Sequence, residues 1–108
     1  MLFRSFFEQY DVLLLPVYRH SPIRIGEWET LSPEETLTKI INWIAPCPAF
    51  NASGLPAIAI PAGFSDQGLP VGIQLVGRPA AEGLLIRLAA QLEAIAPWSQ
   101  HRPPLAIF

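Results

Sequence analysis

Residues 50–79, from Phe50 to Pro79, read FNASGLPAIAIPAGFSDQGLPVGIQLVGRP. The steps Gly54-Leu55-Pro56 and Gly68-Leu69-Pro70 bracket two apolar runs, AIAIPAGF and VGIQLVG. Short apolar runs bounded by Gly and Pro are strand signals, and Ser65-Asp66-Gln67-Gly68 supplies turn chemistry between them. The spacing predicts an antiparallel hairpin with strands over 57–62 and 71–76. Pro61 has no N–H to donate to a ladder, so the first strand is interrupted or ends there. Successive side chains alternate faces. Ile58 and Ile60 therefore share one face, and Ala57 and Ala59 the other. Val71, Ile73 and Leu75 likewise oppose Gly72, Gln74 and Val76. One face of the hairpin is bulky and the other mostly small, so a helix or another backbone must approach the small face closely.

Outward from the hairpin, the pattern alternates between helix and strand. Ser32-Pro33-Glu34-Glu35 combines a capping Ser, a Pro suited to the first helical position and a Glu that closes a capping box. It predicts a helix over 32–45, with Leu37, Ile40, Ile41 and Ile44 on one face. Pro46 and Pro48 end it, and residues 50–55 read as a turn-rich crossing. Residues 81–96 form the last helix, with Leu85, Leu88, Ala89 and Leu92 as its buried stripe and Pro97 as its stop. Near the start, Leu2, Phe3, Phe6, Phe7 and Tyr10 recur at helical spacing and predict a short helix up to about Tyr10. Val12-Leu13-Leu14-Leu15, ended by Pro16, lacks alternation and reads as a strand buried on both faces, in the same sheet. Residues 19–30 are a loop, and Pro103 and Pro104 make the tail after Trp98 extended. The fold class is mixed α/β: about three strands, two of them an antiparallel hairpin, with flanking helices.

Composition narrows the functions available. A chain of 108 residues is at most one domain. Only 15% of it is charged, against about 25% in ordinary soluble domains. Such a chain has little polar material for its outside, which implies that part of its surface is meant to be an interior. The net charge is −2 and Lys39 is the only lysine. Without grouped cations, nucleic acid is excluded as a partner. Cys47 is the only cysteine, so neither an internal disulfide nor a thiolate zinc site can be built. No apolar run approaches the roughly 18 residues of a membrane span. The opening MLFRSFFEQYD does not resemble a signal peptide. No membrane partner is implied, and the expected location is cytoplasmic.

A hydrolase needs a nucleophile, a base and an oxyanion hole. The serines are Ser5, Ser21, Ser32, Ser53, Ser65 and Ser99, and none lies in a Gly-x-Ser-x-Gly elbow or a glycine-rich Ser-Ser run. His20-Ser21 sets a base beside a hydroxyl in sequence, which does not by itself make catalytic geometry. Gly72 to Gly77 has the spacing of a phosphate loop, but Arg78-Pro79 follows it and its interior is strand material. Gln74 is a polar side chain in an apolar strand. Buried, it must be hydrogen-bonded, either as a clamp on the backbone of a neighbouring loop or as a contact near a pocket. Arg78 lies just past the strand end, where an acid such as Glu82 is its expected ion-pair partner. No catalytic residue and no metal-ligand set emerges.

Several phrases, in this order, resemble the C-terminal part of the amidase-signature family of serine hydrolases. FFEQYDVLLLPV is similar to the family's stretch of helix, Tyr-Asp and a strand ending in Pro. PAFNASGLPAIAIPAGF is similar to its Phe-Asn-x-x-Gly-x-Pro-Ala segment, and GLPVGIQLVGRP to its most recognisable C-terminal phrase. AEGLLIRLAAQLE fits the helix that follows, and Arg102-Pro103-Pro104-Leu105 the usual end. The resemblance implies a large mixed sheet flanked by helices. It also implies hydrolysis of amide C–N bonds by a Ser–cis-Ser–Lys triad, with no metal or cofactor. The triad belongs to the earlier part of a longer chain, and no residue here matches it. Residues 1–108 are therefore expected to be the C-terminal fragment of an amidase domain whose N-terminal catalytic portion is absent.

What the resemblance transfers is a supporting role: completing the sheet and walling part of the substrate pocket. Pro16, Val17, Phe50 and Asn51 are the expected wall, and Gln74 and Arg78 the structural polar residues. The fragment is expected to be inactive alone. The implied partners are the missing N-terminal portion or other copies of the chain, with a small amide as substrate of the complete enzyme. The alternative is a free-standing, non-catalytic interaction module derived from an amidase. Three apolar strands with few helices to cover them predict an exposed sheet edge and an apolar patch larger than monomers carry.

Overall fold

The computed structural model of the protein describes residues 2–104. Its elements follow the order α1 (Leu2–Phe6), β1 (Val12–Pro16), α2 (Pro33–Trp43), α3 (Pro48–Ser53), β2 (Ala57–Phe64), β3 (Pro70–Gly77) and α4 (Glu82–Ile95). A single 3-10 turn, Trp98–Gln100, follows. The fold is mixed α/β, with one three-stranded antiparallel sheet in the order β1-β3-β2.

The hairpin forms as its turn chemistry dictates. The Ser65 N–H donates to the Leu69 carbonyl at 2.8 Å, and the Ser65 hydroxyl accepts from the Leu69 N–H at 3.2 Å. Ala57 faces Val76, Ile58 faces Leu75 and Ile60 faces Ile73. The ladder slips between Pro61 and Gly63, so the strand continues past the proline as a bulge and runs on to Phe64. Gly63 has a φ of 110°, which only glycine adopts without strain. On the other side β3 pairs with β1, Leu14 opposite Leu75 and Leu15 opposite Gln74.

The bulky face is the core. Ile60, Leu75, Leu85 and Ala89 are buried together, with Val12, Ile58, Ile73, Leu88, Leu92 and Trp98 packed around them. Thus α4 lays the predicted stripe Leu85, Leu88, Ala89 and Leu92 across β2 and β3. Each buried Ile or Leu side chain contributes roughly 1.5–3 kcal/mol relative to exposure. The helix stops short of β1, and this overturns one expectation. Leu14, on the same face as Leu75, is 58% exposed. β1 is an edge strand whose core-side face is covered at Val12 and open at Leu14, not a strand buried on both faces.

Three further expectations are corrected. Residues 50–55 are not all turn: Pro48 opens α3, where its missing N–H costs nothing, and the helix runs to Ser53 before Gly54. α1 ends at Phe6, and turns carry the chain on, with the Tyr10 N–H on the Phe6 carbonyl at 3.0 Å. The tail is not uniformly extended, because the 3-10 turn interrupts it and the His101 ring lies 5.2 Å from that of Phe64. Residues 105–108, part of that expected tail and of the Arg102–Leu105 ending, lie outside the described residues.

α2 begins as its capping box requires. The Glu35 N–H donates to the Ser32 hydroxyl at 3.2 Å, and the Ser32 N–H donates to the Glu35 carboxylate at 2.8 Å. Yet no residue of this helix is buried. It is tied to the rest through Trp43: the Arg19 N–H donates to the Trp43 carbonyl, and the Trp43 indole N–H to the His20 carbonyl, both at 3.0 Å. Leu37 and Ile41, one helical turn apart, are 57% and 56% exposed.

The whole chain is correspondingly open. Its radius of gyration is 16.6 Å, against about 13 Å for a compact domain of this length. It exposes 8517 Å², where a compact monomer of 11.9 kDa exposes about 6,000 Å².

Candidate functional site

The small face of the hairpin carries a cleft of about 270 Å³ between the end of β1, α3 and the paired strands β2 and β3. Its wall includes Val17, Cys47, Phe50, Asn51, Ala59 and Gln74. Alternation along the strands explains the space. Ala57, Ala59 and Gln74 project to this side, and the two alanines are too small to fill it.

Gln74 organises the cleft. It is 5% exposed. Its side-chain N–H groups donate to the Pro16 carbonyl at 3.2 Å and to the Cys47 sulfur at 3.8 Å. The Cys47 thiol in turn donates to the Val17 carbonyl at 3.3 Å. Two side chains from different elements therefore hold the chain as it leaves β1. Val17 itself lies over β3: its Cγ2 is 3.3 Å from where a Cβ on Gly72 would stand, and its N–H donates to the Gly72 carbonyl at 3.4 Å. This is the close backbone approach that the small face demands.

Phe50 is buried beneath the cleft, with its ring 5.6 Å from that of Phe3. Asn51 is exposed on the next position of α3. Of the residues singled out from sequence, Val17, Phe50, Asn51 and Gln74 thus come together at one cleft. Pro16 contributes its carbonyl from behind. Arg78 does not join them. It is exposed, and among the described residues no ion pair links it to Glu82. Its backbone carbonyl instead accepts the Ala81 N–H at 3.1 Å, in the turn that launches α4. Cys47 was not anticipated as a wall residue. The available signal was Pro48, whose position just after Cys47 marks a helix start.

His20 and Ser21 do not form a catalytic pair. The His20 Nδ1 lies 2.8 Å from the Ser21 carbonyl oxygen, so the ring bonds backbone and not the hydroxyl. The Ser32 hydroxyl caps α2, the Ser53 hydroxyl donates to the Phe50 carbonyl and the Ser65 hydroxyl serves the hairpin turn. Among the described residues, no three His, Cys, Asp or Glu side chains converge to hold a metal. No described helix is long and apolar enough to cross a membrane. Lys39 lies on α2 with its ammonium 5.9 Å from the centre of the Trp28 ring.

Comparison with known proteins assigns these elements to a family. The Amidase family model matches residues 2–86. The chain belongs to the amidase family. An amidase of Synechocystis sp. is 58% identical over 98 residues, covering 91% of this chain and 19% of that protein. Amidase AmiB2 of Mycobacterium tuberculosis is 36% identical over 103 residues, covering 95% of this chain and 22% of its own length. Among solved structures, 6-aminohexanoate cyclic dimer hydrolase superposes with a TM-score of 0.81 at 33% identity, over 94% of this chain and 22% of that enzyme. This amidase chain therefore spans about a fifth of the length of the relatives it matches. The three-stranded sheet and its helices correspond to one part of an amidase fold.

Proposed function

We propose that this chain is the C-terminal segment of an amidase that hydrolyses amide C–N bonds. It completes the enzyme's sheet and forms part of the substrate-pocket wall with Val17, Phe50 and Asn51, while Pro16 supports that wall. The nucleophile, base and oxyanion donors come from the portion of the enzyme outside this chain, and the chain alone is inactive.

The observation that carries this reading is the surface. The chain exposes 8517 Å², about 2,500 Å² more than a compact monomer of its mass, at the upper end of what one partner contributes to an obligate interface. Part of the exposed surface is apolar and lies on β1 and α2. Leu14 on β1 and Leu37 and Ile41 on α2 are large, apolar and more than half exposed. β1 and β2 each pair only with β3, which leaves two free sheet edges among the described residues. Edges and faces of this kind suit a chain built to lie against the remainder of a larger enzyme.

Complementation tests the proposal. The chain is co-expressed with the part of the Synechocystis relative that lies outside the matched segment. The expected result is co-purification and turnover of simple amides by the pair, with neither piece active alone. Failure of the pieces to associate would overturn it. So would amide turnover by the pure chain that is abolished by Ser21→Ala.

A further inference from the structure

The cleft holds a polar group that the fold does not use up. Gln74 is buried on β3. Its two side-chain N–H groups are committed to the Pro16 carbonyl and the Cys47 sulfur. A backbone carbonyl can only accept, so the amino end of the carboxamide must face Pro16, and the orientation of the group is fixed. Among the described residues, none donates to its carbonyl oxygen. Yet no buried side-chain oxygen or nitrogen among the described residues lacks a partner. The Gln74 oxygen therefore retains accessible surface, and the cleft that Gln74 lines is where that surface opens. The Cys47 thiol is already donated to Val17 and cannot serve it.

We propose that the Gln74 carboxamide oxygen is a ligand-recognition group: it accepts a hydrogen bond from the N–H of an amide bound in the cleft, and so selects primary and secondary amides over tertiary amides and esters. This rests on the amidase reading above and adds a specificity-determining residue to it.

The chemistry of the cleft favours that ligand class. The described wall carries no Lys, Arg, Asp or Glu. A carboxylate would meet the Gln74 oxygen lone pairs with no counter-charge, and an ammonium would be desolvated with no anion to offset it. A neutral N–H donor meets neither penalty. Val17 and Ala59 offer apolar contact for a small substituent, and a cleft of about 270 Å³ limits its size. The acceptor is held in place before binding, because both of its own N–H groups are anchored on other segments of the chain. Preorganisation of this kind reduces the entropy cost of binding. A tertiary amide or an ester would cover this oxygen with a group that cannot donate, which is how polar sites reject analogues that lack one hydrogen.

The test is an NMR titration of the 15N-labelled chain with N-methylacetamide and, separately, with N,N-dimethylacetamide, which is similar in shape but has no N–H. The expected result is saturable shifts of the Gln74 side-chain amide and the Ala59 backbone amide with the first compound, and binding about tenfold weaker with the second. Gln74→Leu should abolish that discrimination. If this variant does not fold, the comparison of the two ligands on the unaltered chain still decides the matter. Equal affinity for both compounds, or no shift at Gln74 with either, overturns the proposal. The outcome is separable from the complementation assay. Restored turnover that does not distinguish secondary from tertiary amides would remove the role of Gln74 and leave the amidase reading standing. Selective binding without restored turnover would do the reverse.

Discussion

The Gln74 side-chain amide donates to the Pro16 carbonyl across 3.2 Å, joining the centre of the sheet to the last residue of an edge strand. The bond is made behind a cleft, where Gln74 is almost entirely removed from water. Pro16 itself is exposed, so its carbonyl can turn to water when the donor is lost, and the cost is the net worth of the bond, about 0.5–1.5 kcal/mol. Gln74→Leu is therefore expected to lower stability by about that amount, read as a shift of the urea midpoint at unchanged slope. Cys47→Ala, which removes only weak sulfur contacts, should cost less. A Gln74→Leu variant as stable as the original would show that this bond does not hold β1.

Close packing predicts a graded response at two glycines of β3. A Cβ on Gly77 would stand 3.0 Å from the Ala81 Cβ and 3.4 Å from Leu85, at the point where α4 folds back on the sheet. Gly77→Ala is expected to cost about 1–3 kcal/mol through overpacking. A Cβ on Gly72 would meet the Val17 Cγ2 at 3.3 Å, a longer distance and to the end of a side chain. Gly72→Ala should therefore cost less, and Val17→Ala should relieve it. Thermal melts of the three variants and the double mutant check the order.

The start of α2 should depend on pH. The Ser32 backbone N–H, the Ser32 hydroxyl and, last, the charge of Lys39 hold the Glu35 carboxyl below its ordinary value of 4.5. A depressed carboxylate contributes stability that is present above the unfolded value and lost as pH falls through the folded one. α2 is therefore expected to keep its cap above about pH 4.5 and to fray below it. Glu35→Gln should flatten that dependence. Amide hydrogen exchange at Glu35 and Thr36 across this range reads it directly. Equal exchange profiles for the two proteins would contradict the assignment.

Uncovered apolar elements predict association. The isolated chain is expected to form concentration-dependent oligomers in size exclusion with light scattering, and to bind a hydrophobic dye. Leu37→Glu with Ile41→Lys places an opposite-charge pair one helical turn apart on the exposed face of α2. This double variant should bind less dye and shift toward monomer. A stable monomer at high concentration that binds no dye would favour the free-standing module over the amidase segment.

Much of this architecture is local in origin, and such features are legible in the chain. The hairpin follows from Ser65 to Gly68 and the alternation on either side. α2 follows from Ser32, Pro33 and Glu35, and α4 from a stripe of leucines ended by Pro97. The order of phrases from Phe6 to Leu105 places the chain in the amidase family, in agreement with the comparisons. The bulge at Pro61 and Gly63 was legible only as an interruption, because whether a strand ends or resumes depends on the partner strand that waits beyond it.

What sequence alone determined, then, were the elements whose causes lie within a few residues: caps, turns and periodicities. Tertiary structure alone decided how those elements meet. Four apolar residues at Val12–Leu15 look alike in sequence, yet Leu14 is open and Val12 packs against the core, because α4 covers β2 and β3 and ends before β1. A helix with a well-formed apolar stripe leaves Leu37 and Ile41 more than half exposed, because periodicity states which face wants cover and not whether cover is supplied. The convergence of Val17, Cys47, Phe50 and Gln74 depends on β1 pairing with β3 across 58 residues of chain. That pairing is set by non-local packing, which no local pattern of residues encodes.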